Sequence, residues 1–377
     1  MKIAIDARWI FPEMSGIGVY TREIIRALSE IDRQNEYTLF FNDPVLLTRT
    51  LREAKLDKSS SFKGTVLPYG VFSLRNQFDL PSYLSANAID VYHSTNYMIP
   101  LLAPRRTKII ATIHDVIPLI FPGQVRNSRK ARMFPLFKLL MHLVARRTDA
   151  ILTVSRTSAA DISKTLGMTG KSAEKIRAIY NGVSDNFKPP PAKNQDPNRT
   201  RNILYVGRSD PYKNLVVLVE AFASVRRFAP FPAMLVVAGS PDPRYPEAQA
   251  RVKELEIESS VSWTGHLTDE ELLMAYRQAD VLVHPSRYEG FGLQVVEAMA
   301  CGVPVICSNT GSLAEIAGDA AVTLDPDDIS GFADAILSVI KSPSLAGELA
   351  QKGLKQARNF TWAQTAREIL TVYTERK

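Results

Sequence analysis

The chain has 377 residues, 45% apolar and 23% charged, which is the composition of an ordinary soluble globular protein and a length beyond one usual hydrophobic core. No run approaches the roughly 18 uninterrupted apolar residues of a membrane span. The two cysteines, Cys301 and Cys307, both in apolar surroundings, fit a reducing compartment better than a disulfide or a metal site, so the protein reads as cytoplasmic.

The net charge of +7 is uneven. Residues 1–190 hold 27 basic against 16 acidic residues, a net +11, and residues 191–377 hold 19 against 23, a net −4. Nucleic acid, an anionic membrane surface or an anionic substrate would each suit the positive half.

Lys2–Arg8 alternates like a first strand and lacks the apolar core of a signal peptide. A loop from Phe11 to Tyr20 follows, then a helix over Thr21–Ile31 with apolar residues at Ile24, Ile25, Leu28 and Ile31. Gly16-x-Gly18 lacks the third glycine of a dinucleotide fingerprint. It is either a backbone surface for a phosphate or sugar, or a plain tight turn. Strands are predicted at Tyr37–Asn42, Thr65–Tyr69, Ile89–His93, Lys108–His114 and Asp149–Ser155, with helices at Arg132–Arg147 and Ser155–Leu166. Such alternation predicts a mostly parallel sheet covered by helices, with ligands beyond the carboxyl ends of the strands. His114 stands at such an end, where it either meets a ligand or is a satisfied structural imidazole.

Residues 116–148 contain no acidic residue but carry Arg126, Arg129, Lys130, Arg132, Lys138, Arg146 and Arg147, interleaved with Met133, Phe134, Phe137, Leu140, Met141 and Val144. This pattern suits an amphipathic helix lying on anionic lipid, and equally a helix whose apolar stripe packs on its own sheet. No nucleic-acid reading motif accompanies it. After a strand at Lys175–Tyr180, the proline-rich polar stretch 186–200 breaks the pattern and is read as a linker between domains 1–185 and 201–360.

A second alternating series follows, with strands at Arg201–Gly207, Ala233–Gly239, Ser260–Thr264, Asp280–His284, Val303–Ser308 and Ala320–Leu324. Arg208 and Lys213 flank its first strand-to-helix loop, where two cations suit a diphosphate. The stretch Arg287–Pro304 places Glu289 on a loop, Gly290-Phe291-Gly292 at a turn, and Glu297 inside a helix starting at Leu293. Glycines at such a turn let backbone N–H groups approach an anion. Asp325-x-Asp327 has the spacing of a metal-diphosphate site, but it opens an apolar-periodic helix and is read as capping. His266 and His284 are isolated and are given structural roles. Helices close the chain at Ala346–Ala357 and Thr361–Arg376.

Taken in order, Gly16–Gly18, I-H-D-V-I-P at Ile113–Pro118, Y-N-G-V at Tyr180–Val183, G-R-S-D-P-Y-K-N at Gly207–Asn214, Pro285–Val305 and Gly311–Ala321 resemble the retaining glycosyltransferases of the GT-B fold with a Glu-x7-Glu signature, family 4 or group 1. The chain is also similar to bacterial mannosyltransferases of polysaccharide and O-antigen assembly. The resemblance implies an α/β fold of two Rossmann-like doubly wound domains facing across a cleft, with the segment 361–377 returning to the first. It implies a nucleotide-sugar donor, GDP-mannose before a UDP-sugar, a glycan or lipid-linked acceptor, and no cofactor or metal. On that pattern Arg208 and Lys213 hold the diphosphate, Glu289 the transferred sugar and Glu297 the ribose. Backbone groups of Gly290, Phe291, Gly292 and Leu293, with Gly16 and Gly18, complete the donor contacts, and His114 meets the sugar. The family pattern has proline where Gln294 and Ala314 stand, which implies tolerated backbone changes. Peripheral contact with the inner face of the plasma membrane through 116–148 is a further implication. A sugar-nucleotide epimerase and an inactive binding scaffold are the competing readings.

Overall fold

The computed structural model describes residues 1–57, 59–123, 134–191 and 199–375. Its first sheet contains β1 (Lys2–Asp6), β2 (Glu36–Phe41), β3 (Phe62–Val66), β4 (Val91–Ser94), β5 (Lys108–Thr112), β6 (Ala150–Thr153) and β7 (Ile176–Ala178), in the order β3-β2-β1-β4-β5-β6-β7. The second contains β8 (Arg201–Val206), β9 (Ala233–Ala238), β10 (Val261–Gly265), β11 (Val281–His284), β12 (Val305–Ser308) and β13 (Val322–Leu324), in the order β10-β9-β8-β11-β12-β13. Neighbouring strands within each sheet run parallel. Every residue of β5, β11 and β12 is buried, as parallel strands covered by helices on both faces require. These are two doubly wound Rossmann-like α/β units, the predicted fold class.

In each sheet the strand order reverses beside the first strand of the series, between β1 and β4 and between β8 and β11. Loops leaving those four strands diverge to opposite faces, and the crevice between them is where such sheets take ligands.

The described residues fall into two compact units, one of Met1–Ile120, 134–182 and 361–375, the other dominated by Val183–Phe360. The helix Trp362–Thr374 therefore belongs to the first unit. Tyr373 O–H and His93 Nδ1 lie 2.7 Å apart, Trp362 packs on Tyr20, and Thr365 Oγ1 donates to the Tyr180 carbonyl. Lys108 Nζ donates to the carbonyls of Val372 and Glu375 at the helix's negative end. Residues 192–198 of the linker read from the sequence lie outside the described residues.

Two differences from the sequence reading have physical causes. The helix read from Thr21 starts at Gly16, with Ser15 as N-cap accepting from the Gly18 N–H at 3.3 Å. Two glycines in its first turns, poor helix formers, hid that start. In the basic segment, Arg126, Arg129, Lys130, Arg132 and Met133 lie outside the described residues. The helix Phe134–Arg147 turns Phe137, Met141 and Val144 into the core, as the packing alternative held. A second stripe, Leu136, Leu139 and Leu143, is 54%, 55% and 40% exposed beside exposed Lys138 and Arg146.

His93 is fully buried between the Tyr373 and Thr112 hydroxyls, and burial lowers its pKa from 6.5 to about 3. The unfolded chain therefore binds a proton below pH 6.5 that the native state refuses, so stability falls as pH drops. The slope reaches at most about 1.4 kcal/mol per pH unit from this group. In urea titrations between pH 7 and 5, His93→Gln should flatten the decline relative to wild type; equal slopes would show that native His93 takes up the proton.

Candidate active site

The crevice of the second sheet gathers the charged residues. Beyond β8, Gly207 leads to Arg208 and then to a 3-10 turn, Pro211–Lys213. Asn214 ends that turn in the left-handed conformation that asparagine tolerates, and its amide donates to the carbonyls of Pro285 and Pro326. The turn presents Lys213 inward. Its Nζ lies 2.7 and 2.9 Å from the two carboxylate oxygens of Glu289, and both residues are buried.

Glu289 comes from the loop beyond β11, five residues after that strand's last residue, His284. His284 Nε2 donates to Glu289 Oε1 at 2.8 Å, which fixes the ring proton on Nε2 and leaves the buried Nδ1 without a hydrogen-bond partner. The backbone is held as firmly. Ser312 Oγ donates to the Glu289 carbonyl at 2.8 Å, and Arg287 N–H donates to the Tyr212 carbonyl at 2.8 Å, joining the β8 and β11 loops. Gly311, at φ +58°, passes so close that an added Cβ would sit 3.2 Å from the Glu289 nitrogen. Burial alone would raise the Glu289 pKa. Lys213 and His284 outweigh it and hold the carboxyl well below its usual range. Burial is the largest influence on Lys213 and lowers its pKa, but the charge and hydrogen bond of Glu289 together with Tyr212 raise it overall, with Arg208 opposing. The pair is ionised at neutral pH.

Gly292 opens the helix Leu293–Ala300 at φ +94°, and a Cβ there would meet Leu313 at 2.7 Å. Without a side-chain oxygen, Gly292 cannot cap the first-turn N–H groups, which leaves the helix's positive end suited to an anion. The Phe291 ring is buried edge-on against Phe360. Glu297, one turn into the helix, accepts from the Tyr276 hydroxyl at 2.7 Å. Arg208 stands apart from the buried pair: its side chain is 61% exposed and its Nε lies 2.9 Å from Asp210. Of the Asp325–Asp328 stretch, Asp328 caps the next helix and Asp327 pairs with Arg287.

In the first unit, His114 lies two residues beyond β5. Its Nε2 donates to the Thr95 carbonyl at 3.0 Å, and its ring meets Tyr20 edge-on at 4.8 Å. Burial lowers its pKa, with Thr95 and Asp115 opposing, so the ring is neutral and turns the Nδ1 lone pair away from Thr95. Gly18 is buried and its N–H is taken by Ser15, while Gly16 is exposed with open space beside it.

The structure thus brings Lys213 and Glu289 together and adds His284, to which the sequence reading gave an isolated structural role. Its position at a strand end, the same signal that singled out His114, was the available clue.

Two family models cover the chain nearly end to end. "Glycosyltransferase Family 4" matches residues 14–187 and "Glycosyl transferases group 1" matches residues 187–359. O-antigen chain mannosyltransferase B of Escherichia coli is 27% identical over 99% of both chains. The MMP alpha-(1->4)-mannosyltransferase of Mycolicibacterium hassiacum is 27% identical over 99% of this chain and 98% of its own. Among solved structures, sucrose-phosphate synthase from Thermosynechococcus elongatus superposes with a TM-score of 0.76 at 22% identity, covering 99% of this chain and 98% of that one. Anabaena HepE with UDP and glucose gives 0.75 at 19% identity, covering 99% of each.

Removing one partner of a buried ion pair leaves the other charge stranded. Lys213→Met should therefore cost about 3 kcal/mol in urea unfolding, and Lys213→Met with Glu289→Gln should recover more than half of it. Additive losses would show that the pair contributes no coupling.

Proposed function

The chain belongs to the group 1 glycosyltransferases, and on that premise we propose that it transfers mannose from GDP-mannose, with retention at the anomeric carbon, to a glycan or lipid-linked acceptor of cell-surface polysaccharide. The buried Lys213–Glu289–His284 cluster beyond β8 and β11 carries the proposal, and the two full-length mannosyltransferase relatives support the choice of sugar.

An ammonium has three protons. Two of those on Lys213 serve Glu289, and the third is available to a donor phosphate, so one residue links the sugar-binding carboxylate to the leaving group. Exposed Arg208 supplies the second cation. As the bond between the anomeric carbon and the diphosphate oxygen breaks, these two preorganised charges stabilise the negative charge on the departing group, and no metal enters this mechanism. Glu289, held ionised by its two donors, accepts from a hydroxyl of the transferred sugar and stabilises the oxocarbenium-like centre. The acceptor oxygen bonds to the anomeric carbon on the face the diphosphate leaves, and its proton passes to the departing phosphate oxygen. Glu297 receives a ribose hydroxyl, and backbone groups of Gly290 to Leu293 approach the donor.

A hydrolysis and transfer screen over GDP- and UDP-sugars tests this. Wild type should turn over GDP-mannose, Arg208→Ala should lower kcat/KM about a hundredfold, and Glu289→Ala at least as much. NMR of the product should show the donor's anomeric configuration. Preference for a UDP-sugar would replace the donor; an inverted product would overturn the mechanism, and no turnover of any nucleotide sugar the function.

The exposed leucine stripe of the helix Phe134–Arg147 favours work at a membrane surface. Among the described residues no helix is long and apolar enough to cross a membrane. Leu136, Leu139 and Leu143 beside Lys138 and Arg146 suit the boundary of an anionic leaflet, where apolar insertion and charge attraction add. In sedimentation, vesicles of phosphatidylglycerol and phosphatidylcholine should retain the protein, pure phosphatidylcholine should retain less, and Leu139→Ser with Leu143→Ser should release it. Equal, negligible binding to both vesicles would remove the proposal.

A further inference from the structure

The first sheet has its own crevice, and no residue assigned above to the donor or to lipid fills it. Trp9 lies three residues beyond β1 and Tyr97 three beyond β4, the two strands that flank the reversal of strand order. Phe72 reaches them from the loop beyond β3. The three rings touch pairwise, Trp9 to Phe72 and Trp9 to Tyr97 at 5.7 Å, and Phe72 to Tyr97 at 6.5 Å between centroids. Trp9 and Tyr97 are buried, whereas Phe72 is 65% and neighbouring Leu74 79% exposed.

Polar groups accompany the rings. Trp9 Nε1 is buried without a hydrogen-bond partner, and so is Asn76 Nδ2, whose Oδ1 accepts from Arg8. Arg8 is itself fully buried and paired with Asp6, and its Nη1 donates to the carbonyl of Tyr69 in the loop that carries Phe72. Two orphan donors within one small region are costly unless something arrives to accept from them. The same loop that carries Tyr97 carries Thr95, whose carbonyl orients His114. The aromatic cluster is thus two residues along the chain from the group that fixes the candidate sugar-binding imidazole.

We propose that Trp9, Phe72, Tyr97 and Asn76 form a carbohydrate subsite that takes a pyranose unit of the acceptor glycan. Calling that glycan the acceptor rests on the glycosyltransferase reading. A pyranose has one face of C–H bonds and a rim of hydroxyls. The C–H face suits the negative π-face of an aromatic ring, and the hydroxyls suit the indole and amide N–H groups. Phe72, edge-on to Trp9 and largely in solvent, is the ring the sugar meets first. A nucleotide or a bare phosphate would call for cations here, and the guanidinium of Arg8 is already committed to Asp6 and Asn76.

The test is direct binding followed by transfer. Saturation-transfer NMR is run with methyl glycosides of mannobiose, glucose, galactose and N-acetylglucosamine on wild type, Phe72→Ser, Trp9→Phe and Val45→Ser, the last an exposed apolar residue on another helix. At least one glycoside should bind wild type and Val45→Ser alike. Its Kd should rise about tenfold in Phe72→Ser and about fivefold in Trp9→Phe, which keeps an aromatic ring but loses the indole N–H. With donor present, the acceptor KM should rise in parallel in both variants while the donor KM keeps its wild-type value. Phe72-dependent glycoside binding without any donor turnover would sink the proposed function and leave this subsite standing. Normal transfer with an unchanged acceptor KM in Phe72→Ser would sink the subsite alone. So would absence of glycoside binding by wild type, or loss of vesicle binding in Phe72→Ser with glycoside affinity intact.

Discussion

A carboxylate in a protein interior survives as an ion only when donors meet it there, and Glu289 receives them from two strand ends. Lys213 arrives from the turn after β8 and His284 from the last position of β11, strands paired in register through Val281 with Ile203 and Leu282 with Leu204. Ser312 and Gly311, which open the helix after β12, fix the backbone of the same residue. Residues at and beyond the ends of three strands thus converge on one glutamate because the doubly wound order sets β8, β11 and β12 side by side. Moving β8 or β11 would leave a buried charge unpaired, which is far costlier than losing an exposed ion pair. Fold and site are held by one interaction.

The first and second halves use charge differently from what their totals suggest. The second half is net acidic, yet its crevice holds a lysine and an arginine, and the helix from Leu293 starts without a side-chain cap. Several basic residues of the positive half are spent internally: Arg8 neutralises Asp6, and Lys108 caps a helix end. Lys138 and Arg146, by contrast, face solvent.

Much of this was legible in the chain. All the strands but one were marked by apolar runs whose ends the structure moves by a residue or two, because parallel strands covered on both faces must be apolar throughout; the exception is the edge strand β3, read at Thr65–Tyr69 and found three residues earlier, where its middle residues are exposed. Glycine placement and strand ends located Arg208, Lys213, Glu289 and His114. What could not be read were contacts across the sequence. Lys213 and Glu289 are 76 positions apart, and their pairing follows from strand order, which periodicity does not encode. His284 has no ligand spacing to another histidine along the chain, and its partner Glu289 is met only in the fold. The helix Phe134–Arg147 is apolar on more than one side, so its pattern could not say that Phe137 and Met141 face inward while Leu139 and Leu143 face out.

The helix Trp362–Thr374 completes a unit whose other strands are made first. His93 meets Tyr373 across 280 positions, and Lys108 reaches Val372 across 264. On the ribosome, β4 and β5 would emerge with a histidine and a lysine awaiting partners that the intervening Rossmann unit must precede. The second unit has all its strands contiguous and is free to close as soon as it is made. The unit synthesised first is therefore the one completed last, and it holds an exposed groove for that helix throughout translation of the other. A shortage of chaperones during synthesis would be felt in the N-terminal half.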